Sequence, residues 1–141
     1  MLRVTADTNI LVSGLNFLRG KPFQLLELAR TGKISLTTSE AILDGMEDVL
    51  RRKFGWDDKR IFVGRGRIAA IARTVKPPLQ LNVIQEDPDD NQILECASAA
   101  GSDLIVSGDK DLLGLRTYAS IRILSVSEFL EMMKAENRKD P

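Results

Sequence analysis

The chain predicts an α/β protein, a three-layer α/β/α sandwich with a mostly parallel central sheet. Strand-length apolar runs (Leu2–Ala6, Ile34–Thr37, Leu104–Ser107 and Ile121–Ser125) alternate with longer segments whose apolar residues recur at helical spacing. Strands that alternate with helices are joined by crossovers, so their sheet is largely parallel and covered on both faces. The 141 residues, 43% hydrophobic and 28% charged, describe one soluble globular domain. A chain of that length buries ~68–70% of its unfolded surface.

Leu2–Ala6 reads as a short buried strand. Thr8–Leu15 follows with helical spacing through Ile10, Leu11 and Leu15, interrupted by Gly14. Pro22 suits the first turn of a helix with the apolar set Phe23, Leu25, Leu26 and Leu28, and Gly32 stands where that helix stops. After the strand Ile34–Thr37, Ser39 reads as the N-cap of a helix over Glu40–Lys53, striped by Ile42, Met46, Val49 and Leu50. Asp57–Lys76 predicts another helix, carrying Ile61, Ile68, Ile71 and Val75 on one side, with Gly64 and Gly66 as points where it could break. Pro77-Pro78 ends it, because the residue before a proline is pushed out of the helical region. An extended strand is expected over Leu81–Gln85 and a helix over Asp87–Ala100, closed by Gly101. The strands Leu104–Ser107 and Ile121–Ser125 and an amphipathic helix over Ser127–Ala135 complete a domain spanning 1–135. Glu136–Pro141 is expected to fray. No repeat or low-complexity segment occurs.

Twenty basic and twenty acidic residues give a formal net charge of zero, but their distribution is uneven. Arg51–Lys76 holds nine Lys/Arg against two acids, and Leu81–Asp111 holds eight acids against one Lys. Such asymmetry fits either an acidic metal centre beside a basic surface for a polyanion or simply solvated helical faces. With no histidine, serine–histidine catalysis and histidine metal sites are excluded. Cys96 has no partner for an internal disulfide and reads as a buried core thiol in a reducing compartment. Asp7 interrupts the N-terminus before a signal-peptide core could form, and no apolar run approaches ~20 residues. A cytoplasmic protein that does not enter the membrane is the expectation.

The acids sit at the edges of the apolar segments. Asp7 follows the first strand, Asp87, Asp89 and Asp90 open a helix, and Asp109 and Asp111 follow Leu104–Ser107. In parallel α/β sheets ligands bind outside the carboxyl ends of the strands, which would gather these carboxylates at one place. A cluster of like charges needs a cation, and hard oxygen donors suit Mg²⁺ or Mn²⁺. Each residue also has a plainer reading. Asp7 can cap the following helix, the Asp-Pro-Asp-Asp run is a favourable helix start, and Asp109 and Asp111 can belong to a polar turn around Gly108 and Lys110. Only their joint placement argues for a site.

The same residues carry a resemblance. Ala6-Asp7-Thr8-Asn9-Ile10-Leu11-Val12-Ser13, Thr38-Ser39-Glu40-Ala41-Ile42-Leu43, Asp87-Pro88-Asp89-Asp90-Asn91 and Val106-Ser107-Gly108-Asp109-Lys110-Asp111-Leu112-Leu113 resemble a PIN domain. More narrowly, they resemble the bacterial and archaeal group of toxins from toxin–antitoxin pairs. The resemblance runs from Leu2 to about Leu130. It implies a Mg²⁺- or Mn²⁺-dependent ribonuclease with Asp7, Asp90 and Asp109 as catalytic, metal-holding acids. It departs from the family at the second acidic position, a glutamate before the Leu/Met of the second helix, where this chain has Gly45. Asp44, Glu40 or Glu47 stand nearby, although Asp44 points ~100° away from position 45 on an ideal helix, and Asp48 lies on the same side one turn on. Gly45 reads equally as a close-packing residue.

Asp44, Asp87, Asp111, Thr8 and Ser107 are expected in support, with helix capping as the alternative for Thr8 and Ser107. RNA would be held through phosphates by Arg51, Arg52, Lys53, Arg65 and Arg67. Trp56 and Phe54 could stack a base, though core or dimer-interface packing is the favoured reading. The implied partners are RNA, an antitoxin protein and a second copy of the chain. The competing readings are a PIN-fold binding module that has lost efficient catalysis and, more remotely, a phosphatase with an aspartate nucleophile. The phosphatase is disfavoured because Asp7-Thr8-Asn9 lacks a second aspartate two positions after the first.

Overall fold

This computed structural model describes residues 1–77 and 88–139. The elements run β1 (Arg3–Ala6), α1 (Thr8–Asn16), α2 (Lys21–Arg30), β2 (Ser35–Ser39), α3 (Glu40–Phe54), α4 (Asp58–Ile71) and β3 (Ala72–Val75). They continue with α5 (Pro88–Ala100), β4 (Leu104–Val106), α6 (Lys110–Leu115), β5 (Thr117–Tyr118), β6 (Ile121–Leu124) and α7 (Val126–Lys139). Among the described residues, six strands form one sheet in the order β3-β2-β1-β4-β6-β5. Their pairings are parallel except that of β5 with β6. The mostly parallel sheet flanked by helices is therefore as the sequence predicts.

Strand order fixes where a site can form. The chain steps outward from β1 to β2 to β3, then returns past β1 to place β4 on its other side. The connection out of β1 runs towards β2 and that out of β4 towards β6, in opposite directions, and this opens a crevice beyond the carboxyl ends of β1 and β4. In register, Ala6 lies beside Val106, so Asp7 and Ser107 leave the sheet together, tied by the Asp7 N–H donating to the Val106 carbonyl at 2.9 Å.

α5 packs across β1, β2, β3 and β4, while α1 packs on α2 and α3, and α2 on α7. The core includes Val4, Leu36, Ile42, Met46, Leu94, Ile105 and Phe129, all essentially inaccessible. Truncating one of the aliphatic members to Ala is the kind of change that costs ~2–5 kcal/mol. Beneath α5 the core carries a hydrogen-bonded hydroxyl cluster: Thr5 Oγ1 lies 2.8 Å from both Thr37 Oγ1 and Ser102 Oγ. Cys96 lies among these hydroxyls, and burial pushes its thiol up to about 11. It is an unreactive core thiol, as its setting in the sequence suggests.

Local signals account for most boundaries. Ser39 Oγ accepts from the Ile42 N–H at the start of α3, and Gly55 ends that helix at φ 65°. At Gly14 α1 and α2 approach so closely that a Cβ would stand 2.5 Å from Leu26 Cδ1. Gly64 and Gly66 do not break α4.

Four differences have physical reasons. The helix expected to reach Lys76 ends at Ile71, and Ala72–Val75 joins the sheet edge through β2. Its Ile71 and Val75 continued the helical spacing, and only β2 supplies the backbone partners that favour extension. β5 and its turn to β6 are not signalled, because Ala119 and Ser120 hold φ of 48° and 71° without the glycine or asparagine usual there. Where a polar turn around Gly108 and Lys110 is the plainer reading of the sequence, Lys110–Leu115 is a helix capped by Asp109. α7 begins earlier and runs longer than expected. Ser125 and Glu128 bond reciprocally at its start, at 3.1 and 3.0 Å, and neither Gly nor Pro interrupts it before Pro141. The strand expected over Leu81–Gln85 and the carboxylate of Asp87 lie outside the described residues.

Candidate metal centre

Asp7 is the first residue beyond β1. It caps α1, with Oδ1 accepting from the Asn9 N–H at 3.4 Å, while Oδ2 accepts from Ser107 Oγ at 2.6 Å. Ser107 in turn accepts from the Asp109 N–H at 3.0 Å, so one buried hydroxyl joins the ends of β1 and β4. Asp109 caps α6 through Oδ1, which accepts from Asp111 N–H at 2.8 Å and Leu112 N–H at 3.3 Å. Asp90 sits in the first turn of α5, only 4% exposed. Capping and site formation, alternatives when read from sequence, are the same geometry here. An aspartate that caps a helix after a parallel strand is thereby held at the strand's carboxyl end.

Asp90, Asp109 and Asp111 each present a carboxylate oxygen within 4.8 Å of the others. That spacing is on the order of the ~4–5 Å between opposite oxygen ligands of a six-coordinate hard cation. Three carboxylates with no nitrogen or sulfur donor match Mg²⁺ or Mn²⁺ in chemistry. Asp7 is not in this trio but lines the same cavity, of about 280 Å³, together with Thr8, Asn9, Gly45, Asp48, Val49, Arg52, Lys53, Asp90, Gln92 and Asp109. Burial holds the Asp7 carboxyl above the usual aspartate range. The Ser107 and Asn9 hydrogen bonds oppose that shift, and the charge of Asp109 adds to it.

The cavity sorts the other candidates. Thr8, Arg52 and Lys53 line it. Asp44 does not: it pairs at 2.8 Å with Arg65, which also holds Glu40 and Glu47. Arg65 was expected on an RNA surface, but it is the clamp between α4 and α3, its side chain only 25% exposed. Arg67 lines a separate apolar cavity with Leu15, Phe23 and Ile68. Arg51 pairs with Asp58 at 3.2 Å. Trp56 is buried, donates to Asn16 Oδ1 at 3.1 Å and lies under the Arg60 guanidinium, so it belongs to the core. Phe54 packs edge-on against Phe17. Gly45 is not a tight-packing residue, since a Cβ there would meet only Thr8 at 3.7 Å. The sequence expectations omitted Val49 and Gln92 from the lining. Asp48, on the same helix side as Gly45, was signalled only by helical spacing.

With helix-capping aspartates at the switch point of a mostly parallel sheet, the chain belongs to the PIN domain family, whose model matches residues 3–111. An uncharacterized protein of Methanocaldococcus jannaschii is 31% identical over 120 residues, covering 82% of this chain and 76% of its own. A crystal structure of VapBC2 from Rickettsia felis bound to a DNA fragment from their promoter resembles the fold with a TM-score of 0.64. That match is 13% identical and covers 86% of this chain and 97% of the other.

Proposed function

We propose that this chain is a Mg²⁺- or Mn²⁺-dependent endoribonuclease cleaving RNA phosphodiester bonds, the toxin of a toxin–antitoxin pair acting in the cytoplasm. The observation that carries the reading is the meeting of Asp90, Asp109 and Asp111, two of which, Asp90 and Asp109, line a cavity together with Asp7. The likeness to VapBC2 supports an antitoxin partner, and a homodimer is part of the same proposal.

In this reading Asp7, Asp90 and Asp109 are the catalytic acids, and Asp111 completes the cation's carboxylate set. The bound cation would acidify water and offset negative charge developing on the phosphate. Arg52 and Lys53 hold the phosphate over the acids, from which it would otherwise be repelled. Asp90 orients a water and takes its proton as the water oxygen bonds to phosphorus. The bond from phosphorus to the leaving ribose oxygen breaks, and that oxygen takes a proton from solvent. Ser107 keeps Asp7 in place by donating to it. Thr8 supplies a hydroxyl within reach of the same space.

A second reading, a PIN-fold RNA- or protein-binding module with weakened or lost catalysis, is favoured by Gly45, which leaves the family's second acidic position without a carboxylate. One assay separates them. Purified protein is incubated with single-stranded RNA in chelator, Mg²⁺ or Mn²⁺, beside Asp109→Asn. Cleavage that needs metal and is lost in the variant supports the nuclease. Metal-independent RNA binding with no cleavage supports the binding module.

A further inference from the structure

The missing acid at Gly45 draws attention to the next side chain on the same face of α3. Asp48 lies three residues, about 4.5 Å of helix rise, further along, and lines the cavity shared by Asp7, Asp90 and Asp109. Asp44 and Glu47, its other acidic neighbours on α3, are both held by Arg65 towards α4. Asp48 is instead held by Arg52, whose Nε donates to Asp48 Oδ2 at 2.9 Å and whose terminal nitrogen reaches the same oxygen. Arg52 lines the cavity too. The pair is more than half exposed on both sides, so solvent screens it and little is lost when it opens.

We propose that Asp48 supplies the carboxylate that position 45 lacks, and that Arg52 guards it until substrate arrives. This inference rests on the nuclease reading above. Without a cation, Arg52 neutralises Asp48 beside three other acids that would repel it. When an RNA phosphate enters, Arg52 exchanges one oxyanion for another, and Asp48 is left to join the cation-holding set. Gly45 makes the exchange feasible, because the space where its side chain would stand is open apart from Thr8 at 3.7 Å. The same arginine thus counts once for the metal-free protein and once for the substrate complex. Metal affinity should therefore rise when RNA is present.

Calorimetric titration of Mn²⁺ into the metal-free full chain, alone and saturated with a short single-stranded RNA analogue whose phosphonate linkages keep the charge but cannot be hydrolysed, tests this for the natural sequence, Asp48→Asn, Arg52→Gln, Asp109→Asn and the double variant Asp48→Asn with Gly45→Glu. Circular dichroism melting verifies that each is folded, which the exposure of the pair favours. With the RNA analogue bound, Asp48→Asn should weaken Mn²⁺ binding roughly tenfold, whereas without it the variant should bind Mn²⁺ nearly as the natural sequence does. In the absence of the analogue, Arg52→Gln should tighten Mn²⁺ binding roughly two- to fivefold, the equivalent of an exposed ion pair, while weakening binding of the analogue itself. Gly45→Glu should restore binding in the Asp48→Asn background. If Asp48→Asn with the analogue bound and Arg52→Gln without it both keep the Mn²⁺ affinity of the natural sequence, while Asp109→Asn loses it, the pair is a surface ion pair and the proposal is overturned while the metal centre stands. If Asp109→Asn also binds as the natural sequence does, the metal-centre reading itself fails.

Discussion

Asp7 carries three tasks with one carboxylate: it caps α1, accepts from Ser107 and faces the acidic cavity. The cost is electrostatic. Its folded pKa is raised above 3.8, chiefly by burial, so the protonated form is favoured in the fold. The stability this confers is fully present below the unfolded pKa and is lost as pH rises through the raised folded value. Asp7→Asn should therefore raise the melting temperature of the metal-free protein at pH 7, with the gain shrinking towards pH 3. Added Mn²⁺ should reverse the ranking, because the variant has lost a charge from the centre. Melting curves across pH with and without Mn²⁺ check both halves; a gain that persists unchanged at pH 3 would contradict the burial argument. Gly45 gives a second test at this scale. With 3.7 Å of room towards Thr8, Gly45→Ala should stabilise α3 by up to ~1 kcal/mol, read by denaturant unfolding, without tightening Mn²⁺. A loss of ~1–3 kcal/mol would instead indicate overpacking.

At the scale of elements, α3 organises the site. Ser39 starts it at the carboxyl end of β2. The Arg65 clamp with Glu40, Asp44 and Glu47 ties it to α4. Its other face brings Gly45, Asp48, Val49, Arg52 and Lys53 to the cavity. The β5–β6 hairpin is the element least supported by its own residues, since Ala119 and Ser120 both hold positive φ. A non-glycine residue in that region costs roughly 1–2 kcal/mol. Replacing Ala119-Ser120 by Asn-Gly, the pair suited to such a turn, should raise stability by about 1 kcal/mol in denaturant melts. It should leave Mn²⁺ binding unaltered, as the turn does not line the cavity.

For the whole molecule, strand order decides more than any single residue. The reversal at β1 places Asp7 and Asp109 at adjacent strand ends, although they are far apart in sequence. Like charges gathered in this way leave the metal-free protein short of its full stability. Saturating Mn²⁺ should raise the unfolding free energy by about 2.7 kcal/mol at 100 times its dissociation constant. A melting temperature indifferent to Mn²⁺ and Mg²⁺ would argue against a centre. The five cations expected to hold RNA do not form one surface. Arg65 is clamped, Arg67 faces another cavity and Arg51 pairs with Asp58, while Arg52 and Lys53 border the acids. Among the described residues, no helix is long and apolar enough to cross a membrane.

The sequence by itself determined the class of fold and most of the elements, because apolar spacing, the Ser39 cap and the prolines act locally. It also marked Asp7, Asp87, Asp89, Asp90, Asp109 and Asp111 as acids at the edges of apolar segments, of which the resemblance to a PIN domain singled out Asp7, Asp90 and Asp109. What it could not decide depended on partners distant in the chain. Ala72–Val75 became a strand only because β2 offers it hydrogen bonds. Thr117–Tyr118 pairs only because β6 holds a strained turn in place. Helical spacing puts Asp48 and not Asp44 on the side of Gly45, but it does not say which charges each will meet. Arg65, brought from α4, takes the first away from the cavity, and the packing of α3 against α1 turns the second into it. Local interactions select the secondary structure, while the direction in which a charged side chain points is set by the charges that folding brings beside it.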